Sequence, residues 1–221
     1  MAKLEIKGDI ICNDDKWFYD WLEWDATCPK DVDVAVAAMQ PGETLQVLIN
    51  SGGGSVMAGQ EIYTKLKARD DVSIEIQSLA GSAAGVIAMA GKSRISPVAM
   101  VMIHNVAMSG ASGDYHDMQK NAEILKQMNA AMASAYVEKS GMELDEVLKL
   151  MDRETWLTAN QCVEYGFVDE IISERQTFTN AVCGMRLTDE IRARVLEEKA
   201  QKESNEKLKN ELLRDLDSYG V

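Results

Sequence analysis

Between residues 45 and 68 an apolar strand signal runs straight into three glycines and out again into a helix, with no linker between them. Leu45 to Asn50 reads as a buried strand, Ser51-Gly52-Gly53-Gly54 follows, and Val56, Ile62, Tyr63 and Leu66 then recur at helical spacing from Ser55 to Ala68. A strand that feeds a helix so directly belongs to a βα unit, and residues without side chains at its end let another segment approach the backbone. The order repeats. Val72, Ile74 and Ile76 alternate as a strand, and Ala83 to Gly91 is a run of small and apolar residues suited to a buried helix, which places Ser82 at a strand-to-helix corner. Val98 to His104 is a further strand, ending in a histidine. Repeated strand-then-helix order defines an α/β fold with a largely parallel sheet, whose sites form at strand ends.

Ahead of this unit, Leu4, Ile6 and, beyond the Gly8-Asp9 turn signal, Ile10 and Ile11 suggest a strand or hairpin arm. An aromatic-rich helix is expected around Trp17, Tyr19, Trp21 and Trp24, another from Asp31 to Met39, and a turn at Pro41-Gly42. The C-terminal half changes character. Met118, Ile124, Leu125, Met128, Met132 and Tyr136 mark one long helix from Tyr115 to Ser140, ended by Gly141, with a shorter helix from Leu144 to Met151. That long helix is too apolar along one stripe to lie bare on a monomer. From Thr188 onward Glu, Lys and Arg dominate around scattered anchors such as Ile191, Leu208 and Leu216, so residues 176–221 read as a polar extension, helical or partly disordered, after a domain spanning 1–175.

A chain of 221 residues with a hydrophobic fraction of 46% can bury a core without disulfides. Its net charge of -13 argues against nucleic acid as a partner, because phosphate backbones are held mainly by Lys and Arg. The 4 cysteines, Cys12, Cys28, Cys162 and Cys183, show no CxxC spacing, and with 2 histidines no zinc constellation is recognisable. They read as reduced thiols, and no metal or cofactor is expected. The N-terminus lacks the apolar stretch of a secretory signal, and no segment approaches the about 20 apolar residues of a membrane span, so a cytoplasmic protein is expected.

Three segments carry chemistry. A serine hydroxyl needs a base to become nucleophilic, and an acyl transition state needs N–H donors aimed at its oxyanion. The glycine triplet, Gly81-Ser82-Ala83-Ala84-Gly85 and Met102-Ile103-His104-Asn105 contain all of these parts. Taken singly, Ser82 reads as a close-packing residue and His104 as a hydrogen-bonded core residue. His116 opens a polar helix and reads as a surface residue, and most of the 13 methionines as core fillers.

Together the motifs resemble the ClpP peptidase family over roughly Leu4 to Ile172. The resemblance rests on Ile49-Asn50-Ser51-Gly52-Gly53-Gly54 with Ala58-Gly59, on Ser82 with Ala90-Gly91, on Met102-Ile103-His104, and on Val163-Glu164-Tyr165-Gly166-Phe167-Val168-Asp169. It implies the ClpP/crotonase-like fold of repeated β-β-α units, with residues 115–140 as the handle helix between stacked, ring-shaped, heptameric homo-oligomers. It implies a serine endopeptidase with Ser82 as nucleophile, His104 as general base, the Gly53 and Ala83 N–H groups as oxyanion donors, and Gly54 in the substrate-binding strand. The family's aspartate position falls on Glu154, with Asp152 as second choice; both also read as solvated helix-end carboxylates.

Other departures bear on biology. The usual proline of the glycine loop is Gly52, the aromatic residues often preceding that loop are Gln46 and Leu48, and the first strand begins almost at once. The resemblance is nearest to the ClpP-related proteases of phage and prophage head-assembly modules. It implies processing of capsid or scaffold precursors without an ATPase, in the bacterial host cytoplasm or the phage prohead. Three alternatives stand beside it: an ATP-dependent ClpP proteolytic subunit for general degradation, a catalytically weak assembly protein of the phage head, and an acyl-CoA enzyme of crotonase type.

Overall fold

The computed structural model describes residues 2–172 and 193–202. These fall in separate units. Residues 193–202 form a helix; Cys183 and most of the expected polar extension lie outside the described residues.

In residues 2–172 the parallel sheet has the order β2 (Ala26–Thr27), β1 (Ala2–Ile10), β3 (Leu45–Gly54), β4 (Val72–Gly81), β5 (Lys92–Ile95) and β8 (Glu170–Ile171). β4 divides its second edge between two neighbours. Ser73 to Ile76 pair with β5, and Leu79 to Gly81 pair with β6 (Met100–Ile103). An antiparallel strand, β7 (Thr155–Thr158), then pairs with β6. The fork matters because it lays the end of β6 beside the end of β4, where Ser82 begins α4 (Ala83–Ala88).

Helix α3 (Val56–Lys67) starts where β3 ends, capped by the Ser55 hydroxyl accepting from the Ala58 N–H. Its Ile62 and Leu66 are fully buried with Ile49, Ile74, Ile76 and the α4 residue Ile87, so strand and helix faces share one core. α1 (Lys16–Trp21) and α2 (Pro29–Ala37) precede β3, close to the spans expected. α5 (Tyr115–Ser140) keeps the expected boundaries for local reasons: Asp114 accepts from the His116 and Asp117 N–H groups, and Gly141 closes the helix in a left-handed conformation. No residue of α5 ahead of Met132 is buried. α6 (Leu144–Asp152) leads into β7, and α7 (Ala159–Glu164) follows it.

Gly8-Asp9 is not a turn. β1 runs on through it, and its register against β3 shifts between Lys7 and Asp9, the signature of a bulge. Gly8 has φ +63°, and a Cβ there would collide with the Asp25 carbonyl. The strand expected from Val98 is shorter, and Val98 itself is 83% exposed. β2, β5, β7 and β8 were not legible as separate strands; at two to four residues they are too short for a period to show. Among the described residues no helix is long and apolar enough to cross a membrane.

Candidate active site

The β4·β6 register pairs Gly81 with Met102, and the Ser82 N–H donates to the Met102 carbonyl at 2.8 Å. The chain then turns sharply: Ser82 has φ +52° and ψ -120°, a conformation few non-glycine residues adopt. This corner lifts its hydroxyl off the strand end and toward His104, just beyond β6. Ser82 Oγ and His104 Nε2 lie 2.7 Å apart. That is a proton-transfer contact between an alcohol and a base.

The glycine triplet lies against this corner. Gly53 has φ +105°, and a Cβ there would stand 2.7 Å from the Ser82 Cβ and 3.0 Å from the Ala83 nitrogen. Only glycine fits. Gly54 continues β3 and pairs with Ile10 of β1. The two expected oxyanion donors differ. Ala83 opens α4, so its N–H has no partner within the helix. The Gly53 N–H donates to Ser51 Oγ at 3.1 Å, while the buried Ser51 hydroxyl donates to the Gly8 carbonyl at 2.6 Å. Ser51 belongs to a motif the sequence singled out, but its grip on Gly53 is visible only in three dimensions.

Ser82, His104 and the glycines line a cavity of about 330 Å³ together with Val86, Met132, Tyr136 and Met151. Burial pushes the Tyr136 phenol far above its ordinary value, so it stays a neutral part of this lining.

The acidic candidates make their hydrogen bonds to residues other than His104. β6 and β7 pair Ile103 with Thr155, so one step further the register sets Glu154 across from His104. Glu154 has φ +48° and accepts from Trp156 Nε1 at 3.3 Å. Asp152 accepts from Asn105 Nδ2 at 2.8 Å. Among the described residues no hydrogen bond or ion pair joins a carboxylate to His104. The structure thus brings together Ser82, His104, Gly53, Gly54 and Ala83, and leaves Glu154 and Asp152 turned to other partners. His116 is exposed, its ring against Tyr115.

Away from the cavity, Asp169 shows how the closing motif anchors the domain. Burial alone would raise its pKa, but the Lys139 ammonium at 2.6 Å and the Ser93 N–H hold it below the ordinary carboxylate range. The Cys162 thiol is pushed up to about 12 by burial and is inert at neutral pH. Among the described residues no group of three metal-ligating side chains occurs.

A serine at a strained strand-to-helix corner, bonded to a histidine across a parallel sheet, defines a serine-type hydrolase. Comparison with known proteins narrows the class: residues 33–175 match the family described as Clp protease, and the chain belongs to that family. The ATP-dependent Clp protease proteolytic subunit of Bacteroides fragilis is 33% identical over 142 residues, covering 62% of this chain and 68% of the relative. Proteolytic subunit 2 of Tropheryma whipplei is 32% identical over 142 residues, covering 62% of this chain and 78% of the relative. Proteolytic subunit 2 of Mycolicibacterium paratuberculosis is 32% identical over 149 residues, covering 66% and 74%. Against two further Bacteroides subunits the match spans 64% of their length. The chain is a serine-type peptidase of this family.

Proposed function

We propose that the chain is a ClpP-like endopeptidase that cuts extended polypeptides, working as a proteolytic subunit with an ATP-driven unfoldase. The observation that carries the chemistry is the 2.7 Å contact between Ser82 Oγ and His104 Nε2 in the lining of the cavity. In this reading a substrate strand lies along Gly52 to Gly54, with an apolar side chain in the cavity. His104 takes the Ser82 proton as Oγ attacks the carbonyl carbon. The Ala83 and Gly53 N–H groups receive the oxyanion, the latter on leaving Ser51. His104 then gives its proton to the departing amine, and water releases the acyl group by the same route in reverse. Glu154 completes the site by turning from Trp156 to His104 Nδ1, with Asp152 as the second choice.

The names of the relatives favour an ATPase partner over the expectation drawn from the departures at Gly52, Gln46 and Leu48. Those departures keep a second reading in play: a phage or prophage protease that processes capsid or scaffold precursors without ATP. Under either reading the chain works as a ring-forming homo-oligomer in the bacterial cytoplasm. The exposed Tyr115, Met118 and Ile124 on α5 support self-association. Residues 1–175 form the peptidase domain and 176–221 an extension. The test is degradation of an unfolded polypeptide by the assembled protein, with and without a Clp-type unfoldase and ATP. Stimulation by both supports the first reading; ATP-independent cutting at a few fixed sites in a capsid or scaffold precursor favours the second.

A further inference from the structure

The base sits where regular structure stops. β6 ends at Ile103, and from His104 to Asp114 the chain has neither ladder nor helix. Two adjacent side-chain bonds restrain the segment just after the base. Asn105 Nδ2 donates to Asp152 at 2.8 Å in an exposed setting, and the Val106 N–H donates to Asn129 Oδ1 at 2.7 Å in a partly buried one. Water competes with the first more than with the second.

We propose that Asn129, on α5, is a positioning residue for His104, holding through Val106 the loop that sets the imidazole against Ser82. Four observations converge on it. The Val106 group is a donor, so only the amide oxygen can meet it, which fixes the orientation of the Asn129 side chain. Val106 lines the catalytic cavity together with Ser82 and His104, so releasing it shifts a wall of the site as well as the base. Asn129 lies one turn ahead of Met132, which lines the same cavity from the buried part of α5 and gives the amide a rigid mount. Finally, among the described residues the imidazole is bonded to Ser82 and to no carboxylate, so in this arrangement the backbone that carries the ring contributes to its orientation. Misplacement of a reacting group by about 1 Å can slow catalysis about 100-fold.

This proposal rests on Ser82 being the nucleophile that His104 activates, and the experiment separates the two claims. The rate of modification by a fluorophosphonate is followed by intact mass on the assembled wild type, Ser82→Ala, Asn129→Ala and Asn129→Asp, alongside kcat and KM on a peptide substrate. An adduct that persists in Ser82→Ala removes the nucleophile assignment and this proposal with it. With that control clean, Asn129→Ala should label about 10- to 100-fold more slowly and lose kcat to the same extent, with any change in KM the smaller of the two. Asn129→Asp is isosteric, retains the acceptor, and should recover most of the rate. A merely structural asparagine would lower the melting temperature and leave the rate per folded site intact. Wild-type labelling in Asn129→Ala overturns the proposal, as does an Asn129→Asp variant as slow as the alanine one.

Discussion

At Gly53 the requirement for glycine comes from two directions, the positive φ and the proximity of Ser82. Gly53→Ala would press a methyl group to 2.7 Å from the Ser82 Cβ. The expected outcome is a folded protein destabilised by about 1–3 kcal/mol, with turnover lost more completely than stability; thermal melts and peptide hydrolysis measure the two. Glu154 is the carboxylate that the β6·β7 register sets across from His104. If it orients His104, Glu154→Gln lowers kcat by a large factor, up to about 10⁴ where such a carboxylate is fully engaged, whereas Asp152→Asn leaves kcat near wild type. Trp156→Phe removes the indole N–H that holds Glu154 at 3.3 Å and should not lower kcat. Equal losses in Glu154→Gln and Asp152→Asn would reject this ordering. Ser82 and His104 could be singled out because the motifs that carry them are contiguous in sequence, and the structure sets the two side chains 2.7 Å apart. The partners of Glu154, the Ser51–Gly53 bond and the Asn129–Val106 bond were not legible there, since each depends on a side-chain orientation that spacing does not encode.

At the scale of elements, local signals and tertiary ones separated cleanly. α5 begins and ends as expected because its Asp114 cap and Gly141 stop are written beside it. Removing the cap with Asp114→Ala should cost about 1 kcal/mol, seen as a lower denaturant midpoint. The Gly8-Asp9 pair was misread as a turn because a glycine with positive φ serves a bulge equally well, and only pairing with β3 decides between them. β5 and β8 are too short to read alone, yet Asp169 and Lys139 pin this edge to the end of α5. The depressed pKa of Asp169 means the carboxylate form is favoured by folding. Its contribution is present above the unfolded value of about 3.9 and is lost as pH falls from there through the lower folded value. In acid titrations Asp169→Asn should therefore be less stable than wild type near neutrality, with the gap closing below about pH 4. A gap independent of pH would assign the loss to packing instead.

The whole molecule joins a sheet that forks at β4 to a site where the forked strands end. The fork, rather than any one motif, explains why Ser82 and His104 meet: β4 turns from β5 to β6 as its neighbour just before Ser82. Outside that sheet, the unburied first half of α5 is the surface proposed for self-association, and Met118→Lys or Ile124→Lys should then shift sedimentation toward smaller species while leaving the fold intact. Unchanged sedimentation would place the oligomer contacts elsewhere. An activated Ser82 would be captured by a fluorophosphonate and read out by intact-mass spectrometry. One adduct per chain on the wild type, absent from Ser82→Ala, is the expected result; an adduct retained in Ser82→Ala, or none on the folded wild type, would contradict that activation.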